Sequence, residues 1–186
     1  MSRPRRKTDP HGKNSRSHAR TAAVQALYQM DMAGTSLTDV IAEFSSHVLE
    51  TTEPEDADEE PIATLAGADE AFFAEILRGV VRRQRDIDPM VDAALASGWR
   101  LVRVDSILRA ILRGGVFELM ERHDVPARVV INEYINVAHS FFAEDEPRVV
   151  NGILDKLARQ LRPKEFEAKE PAEPGRGPAD ASGTDA

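Results

Sequence analysis

The sequence predicts an all-α protein of about seven helices in one folded domain, running from roughly residue 15 to residue 162. Three observations carry this. Apolar residues recur three and four apart through most of that span, the period of a helix with one buried face. No run alternates apolar and polar residues over the length of a strand. Gly, Pro, Ser and Asp stand where the periodic runs begin and end.

Residues 1–14 are basic, contain Pro4, Pro10 and Gly12, and show no apolar period, so they read as a disordered arm. From about Ser15 the first helix places Ala19, Ala23, Val24, Leu27 and Tyr28 on one face and stops before Gly34. The second starts at Leu37, capped by Thr35 or Ser36, with Val40, Ile41, Phe44 and Val48 as its stripe. An acidic segment with Pro54 and Pro61 reads as a solvated loop. The third helix, about Ala68 to Ile87, buries Phe72, Phe73, Ile76, Leu77, Val80 and Val81, and Asp88-Pro89 restarts a fourth through Leu95 to Gly98. A fifth from about Val104 carries Ile107, Leu108, Ile111, Leu112, Val116 and Leu119. Pro126 precedes a sixth from about Arg128 to Ala143. The seventh follows Asp145, Glu146 and Pro147, which suit a cap, a dipole partner and a first turn, with Val149, Val150, Ile153, Leu154, Leu157 and Leu161 inward. Residues 163–186 are rich in Pro, Glu, Ala and Gly and read as a disordered acidic tail.

Two glycine sites stand out. Gly114-Gly115 inside the fifth helix reads as close approach of a neighbouring helix, with a hinge as the alternative. Gly152 in the last helix costs about 1 kcal/mol relative to alanine, which helix propensity leaves unexplained.

The net charge of −8 hides a segregation. Residues 1–20 hold seven Lys and Arg against Asp9, a local charge of +6, while residues 50–60 hold seven acids and no Lys or Arg. An acidic average therefore does not exclude a polyanionic partner; contact with one must be local. There is no cysteine, so neither a disulfide framework nor a thiolate site exists. No apolar run reaches the roughly 18 residues of a membrane span, and the basic start is not followed by a signal-peptide core. A cytoplasmic protein with no membrane contact is the expectation.

Catalysis finds no support. The five histidines form no His-x-x-x-His pair or Glu-flanked metal signature, and no Gly-rich phosphate loop follows a strand. Glu133 and Asp145 read as solvated or capping acids. No metal or cofactor is expected. Binding reads better. The stretch "KNSRSHARTAAVQALYQM" sets Arg16 and Arg20 one turn apart at the start of a helix, with Lys13 and His18 nearby, although cations there oppose the dipole. Arginine offers a planar fork for phosphate and stacks on unpaired bases. A merely solvated charged end remains the alternative.

Four blocks in this order resemble the NusB family of transcription antitermination factors: "ARTAAVQALYQMD", "LRAILRGGVFEL", "DVPARVVINEYINVAHSF" and "AED…VNGILDKLAR…RP". The Asp-Val-Pro, Ile-Asn-Glu and Val-Asn-Gly-x-Leu-Asp-Lys series is the specific part. The resemblance implies two small helical bundles packed together. It also implies a protein that pairs with the ribosomal protein NusE, binds the single-stranded boxA element of ribosomal RNA transcripts, and acts indirectly on the elongating RNA polymerase. A helical protein-interaction module without specific RNA binding is the alternative. Certain ribosomal RNA methyltransferases carry a NusB-like domain, but no α/β domain follows here.

Carried over by position, the resemblance puts Arg16, Ser17, His18 and Arg20 of the first helix beside Asp145, Arg148 and Val149 as one RNA surface. Asn151 and Gly152 would hold the last helix tightly against its neighbour. Val149 stands where some members have an aromatic residue, and Ser17 and His18 dilute an arginine run. The NusE-facing residues are expected near Arg109, Arg113 and Glu118, with an Arg113–Glu118 internal ion pair as the alternative.

Overall fold

The computed structural model describes residues 10–50, 68–143 and 145–167, with side chains described from Asn14 to Ser46 in the first segment. Among the described residues there are six helices: α1 (Pro10–Ala33), α2 (Leu37–Glu50), α3 (Glu70–Ala94), α4 (Ser106–Glu121), α5 (Ala127–Phe141) and α6 (Glu146–Leu161). Two short 3-10 turns, Leu101–Arg103 and Pro163–Glu165, complete the set, and no strand occurs among the described residues. No described helix is long and apolar enough to cross a membrane. The acidic loop after Glu50, the first nine residues and most of the tail lie outside the described residues.

Local chemistry sets the boundaries. Ser36 Oγ accepts the Asp39 N–H and its hydroxyl donates to the Asp39 carboxylate, a reciprocal cap on α2. Asp69 caps α3 through the Phe72 N–H, and Asp105 caps α4 through the N–H groups of Ile107 and Leu108. α1 ends at Gly34, whose φ of +67° is open to glycine without strain.

Four expectations change. α1 begins at Pro10, not near Ser15. α3 runs straight through Pro89, so the third and fourth expected helices are one. Ile87 and Val91 flank the proline on the same fully buried stripe, and Pro89 and Arg85 are exposed, so water can satisfy the Arg85 carbonyl that proline leaves without a donor. Asp145 makes no side-chain cap on α6. The fold extends past Arg162 to Glu167, because the last turn is pinned in place.

The pin is Arg162, almost fully buried. Its guanidinium donates to the carbonyls of Glu118 (2.7 Å), Leu119 (2.7 Å), Arg122 (2.9 Å) and Val125 (2.6 Å). Glu118 and Leu119 lie in the last turn of α4, where the Glu118 carbonyl has the Arg122 N–H of the cap as its backbone donor, and a cation suits that negative end. Glu165, paired with Arg162 at 3.1 Å, accepts the Ala127 N–H at the start of α5. Burial works against the Glu165 charge, but the Ala127 and Arg162 bonds outweigh it and lower its pKa.

One core joins two three-helix groups, α1–α3 and α4–α6. α4 sits at the centre, packed on α1, α3, α5 and α6, and is buried nearly all round. Glycines make this possible. A Cβ on Gly115 would lie 2.8 Å from Leu154, one on Gly114 would lie 2.8 Å from the Tyr134 hydroxyl, and one on Gly79 would overlap the Phe117 ring. The packing reading of Gly114-Gly115 therefore holds. That of Gly152 does not: it is exposed with open space where a Cβ would go, and Asn151 is exposed beside it. Val81 and Tyr28, expected inside, are partly exposed.

Candidate nucleic-acid interface

α1 begins on a surface shared with the starts of α3 and α5. Its two arginines, one turn apart, have opposite environments. Arg20 is only 3% exposed. Its Nε and Nη2 each donate to Glu118 at 2.8 Å, one per carboxylate oxygen, and Nη1 reaches Glu133 at 3.2 Å. Tyr134, fully buried, donates its hydroxyl to Glu118 Oε1 at 2.9 Å. Gly114 lies one turn before Glu118 on α4, and its missing side chain is the space the Tyr134 ring occupies. Burial opposes the charge on Arg20, but the Glu118 bonds outweigh it and raise the pKa. Burial first, then the Glu118 charge, pushes the Tyr134 hydroxyl well above its ordinary value.

Arg16 instead stays half-exposed, 43% by side chain. Its guanidinium lies 5.3 Å from the centre of the Phe72 ring and 3.8 Å from Asp69. Arg20 and Arg122 also approach Phe72, each at 5.0 Å, so one buried ring orients three cations. Arg122 is tied down by both oxygens of Asp124 (2.9 Å each) and by Glu75. Its hydrogen bonds draw the exposed Asp124 carboxyl down to about 2. Ser17 donates to Glu133, and His18 is exposed.

The second half of the expected surface stands elsewhere. Glu133 bonds Ser17 and Arg20, whereas Phe141, at the end of α5, lines a groove with Val24, Tyr28 and Met32. α5 thus runs alongside α1 in the same direction, and α6 starts beyond its far end. The offset from Glu133 to Phe141 is about 12 Å at helical rise. Along α5, Asn132, Asn136 and His139 are exposed. At the start of α6, Asp145 and Arg148 are almost wholly solvent-exposed and only 3.7 Å apart, and Val149 is half-buried.

Comparison with known proteins decides the family: the profile of the NusB family matches residues 17–159. The chain belongs to the NusB family. A relative from Allorhizobium ampelinum named transcription antitermination protein NusB is 51% identical over 149 residues, 80% of this chain and 89% of its own. One of the same name from Rhodopseudomonas palustris strain BisB18 is 50% identical, covering 82% of this chain and 86% of its own. The solved structure of T. maritima NusB superposes with a TM-score of 0.61 at 25% identity, over 86% of this chain and 99% of that one.

Within this NusB-family chain, one expected RNA contact, Arg20, and all three expected partner contacts need revision. Arg20 faces inward onto Glu118 and presents no fork to solvent. The α6 residues are displaced along α5 from the α1 residues, so Arg16 and Arg148 do not form one compact ledge. Glu118 is 0% exposed and cannot face a partner. It pairs with Arg20, not with Arg113. Arg113 grips Asp88 through two bonds (2.8 and 2.9 Å) and Asp31 at 3.2 Å; Arg109 binds Asp31 at 2.8 Å and the Leu101 and Val102 carbonyls. Arg113 thus clamps α1, α3 and α4 together, and Arg109 ties α1 and the Leu101–Arg103 turn to α4. Glu133, read as a solvated or capping acid, bonds α1 instead. The one sequence signal for this network was the place of Glu118, an acid set among Val116, Phe117 and Leu119 in the apolar half of α4. Tyr134, Arg162 and Glu165 gave no comparable sign.

Close to the two clamping arginines lies a surface that is not internally satisfied. Val24, Tyr28, Met32, Phe44, Ile107 and Phe141 line an apolar groove of about 450 Å³. Met32 is 61% exposed, and the Gln25 side-chain amide oxygen Oε1 on the groove is buried with no hydrogen-bond partner.

Proposed function

We propose that this protein is a non-catalytic transcription antitermination factor that pairs with NusE and holds a single-stranded, boxA-like RNA. The observation that carries this is Arg16: a half-exposed cation fixed over a buried ring, directly after the basic stretch Arg3 to Lys13 in the sequence. A pre-oriented guanidinium loses less conformational freedom on meeting a phosphate than a loose one does. The strand would run from Arg16 and His18 along the exposed amides of α5 to Arg148. Open backbone at Gly152, one turn from Arg148, lets RNA lie close to α6. The bound complex then acts on the elongating polymerase through NusE.

The apolar groove, not the arginine clamp, is the surface we assign to NusE. Its exposed Met32 and unsatisfied Gln25 oxygen fit burial by a protein partner. Titration of labelled matched and scrambled boxA RNA, with and without purified NusE, tests the pairing and the sequence preference together. The matched strand should bind more tightly, and more so with NusE; equal binding of the scrambled strand would favour a plain interaction module. Met32→Asp should abolish the NusE-dependent gain while leaving the melting temperature unchanged.

A further inference from the structure

The start of α1 frames an open cleft of about 500 Å³ lined by two arginines and two carboxylates, so its formal charges balance. Ser15, Arg16 and Arg20 of α1, Asp69 at the head of α3, Val125 before α5, and Val129 and Glu133 on α5 line it, with the Arg20 guanidinium already engaged by Glu118 and Glu133. Its walls are fixed. The Asp69 N–H donates to the Ser15 carbonyl at 3.0 Å, and Glu133 Oε2 accepts from Ser17 and from Arg20. Those bonds leave Glu133 Oε1 unused, on a side chain about a quarter exposed. Asp69 gives Oδ1 to the Phe72 N–H, while Oδ2 has only the 3.8 Å approach of Arg16.

Two valines, with one oxygen of each carboxylate left without a close donor, suit a flat apolar ring whose edge carries hydrogen-bond donors. Uracil offers one such donor between two acceptors, and adenine and cytosine offer one amino group each. Guanine alone presents two adjacent donors, N1–H and N2–H2, with the O6 and N7 acceptors on its other side. We propose that this cleft takes one unstacked guanine of the bound strand. Glu133 and Asp69 accept from its donor edge, Val129 packs on its face, and Arg16 meets its acceptors or the adjoining phosphate. Glu133 is then a specificity-determining residue. The inference rests on the RNA reading above and assigns the base that the α1 end selects.

The test is fluorescence anisotropy with the full chain and NusE, using a short uridine strand carrying one guanosine. A second strand carries inosine there, which lacks only the N2 amino group. The guanosine strand should bind about tenfold more tightly, and Glu133→Gln should bring the two strands level. If Glu133→Gln lowers the melting temperature, Asp69→Asn gives the same readout, since asparagine caps a helix as well as aspartate does. Equal binding of both strands by the unmutated protein overturns the guanine pocket and leaves RNA binding standing. A preference that survives both substitutions overturns the assignment of these residues. Binding of neither strand overturns the pocket together with the reading beneath it.

Discussion

Arg20–Glu118 and Arg148–Asp145 are the same chemistry in two regions of the molecule, and they do opposite things. The first is two-pronged at 2.8 Å with side chains 4% and 0% exposed; the second is a 3.7 Å approach with 87% and 83% exposed. In the interior, neither charge can be abandoned without leaving the other stranded in a low-dielectric core. On the surface, water screens the pair and either partner is free to exchange it for something else. Burial, not residue type, decides which arginine builds the fold and which is available to a ligand.

Arg20→Ala tests the comparison hardest. It strands Glu118 and should destabilise the fold by about 3–5 kcal/mol, read from urea midpoints. Arg20→Met combined with Glu118→Leu should recover much of that loss, because no buried charge then remains unpaired. A small effect of the single substitution would erase the distinction between the two pairs.

Next come the changes that disturb the ring serving Glu118. Gly114→Ala drives a methyl into the Tyr134 hydroxyl, a clash of about 1–3 kcal/mol that outweighs the gain in helix propensity. Tyr134→Phe removes one hydrogen bond to Glu118, costing about 1–3 kcal/mol at neutral pH. It should also change the alkaline limb. The folded-state pKa of Tyr134 is raised, so its contribution is complete below the unfolded value near 10 and is lost as pH rises beyond it. The variant should therefore melt with a shallower alkaline dependence, followed by thermal scans from about pH 8 to about pH 11, roughly two units below to one above the free tyrosine value.

At the small end, Arg148→Ala should shift stability by no more than about 0.5 kcal/mol. Asp124 lies nearby in size. Its pKa is depressed to about 2, so its stabilisation is present above the unfolded value and disappears as pH falls toward 2. Because Asp124 is exposed, Asp124→Asn should flatten acid melting only slightly, visible between pH 4 and pH 2.

Much of the fold could be read from the sequence because periodicity, caps and breakers agree at each helix. Proline was the exception. The Asp88-Pro89 pair reads as a helix start, yet the shared burial of Ile87 and Val91 carries α3 through it. Gly114-Gly115 was readable as close packing, since two adjacent glycines in an apolar helix have few other uses. The site was less readable. Arg16 and Arg20 look alike in the sequence, and only Glu118, ninety-eight residues away, separates them. A charge run reports how many cations a segment has, not where a distant helix places its acids. For the same reason Arg109 and Arg113 looked like a partner surface before Asp31 and Asp88 were seen to hold them.

The salt dependence of RNA binding by Arg16→Ala combined with Arg148→Ala tests the central claim most directly. Each lost phosphate contact on a single strand should reduce the slope of log K against log salt by about 0.7. The account predicts a slope shallower by about 1.4 with an unchanged melting temperature. An unchanged slope, with the protein equally stable, would contradict it.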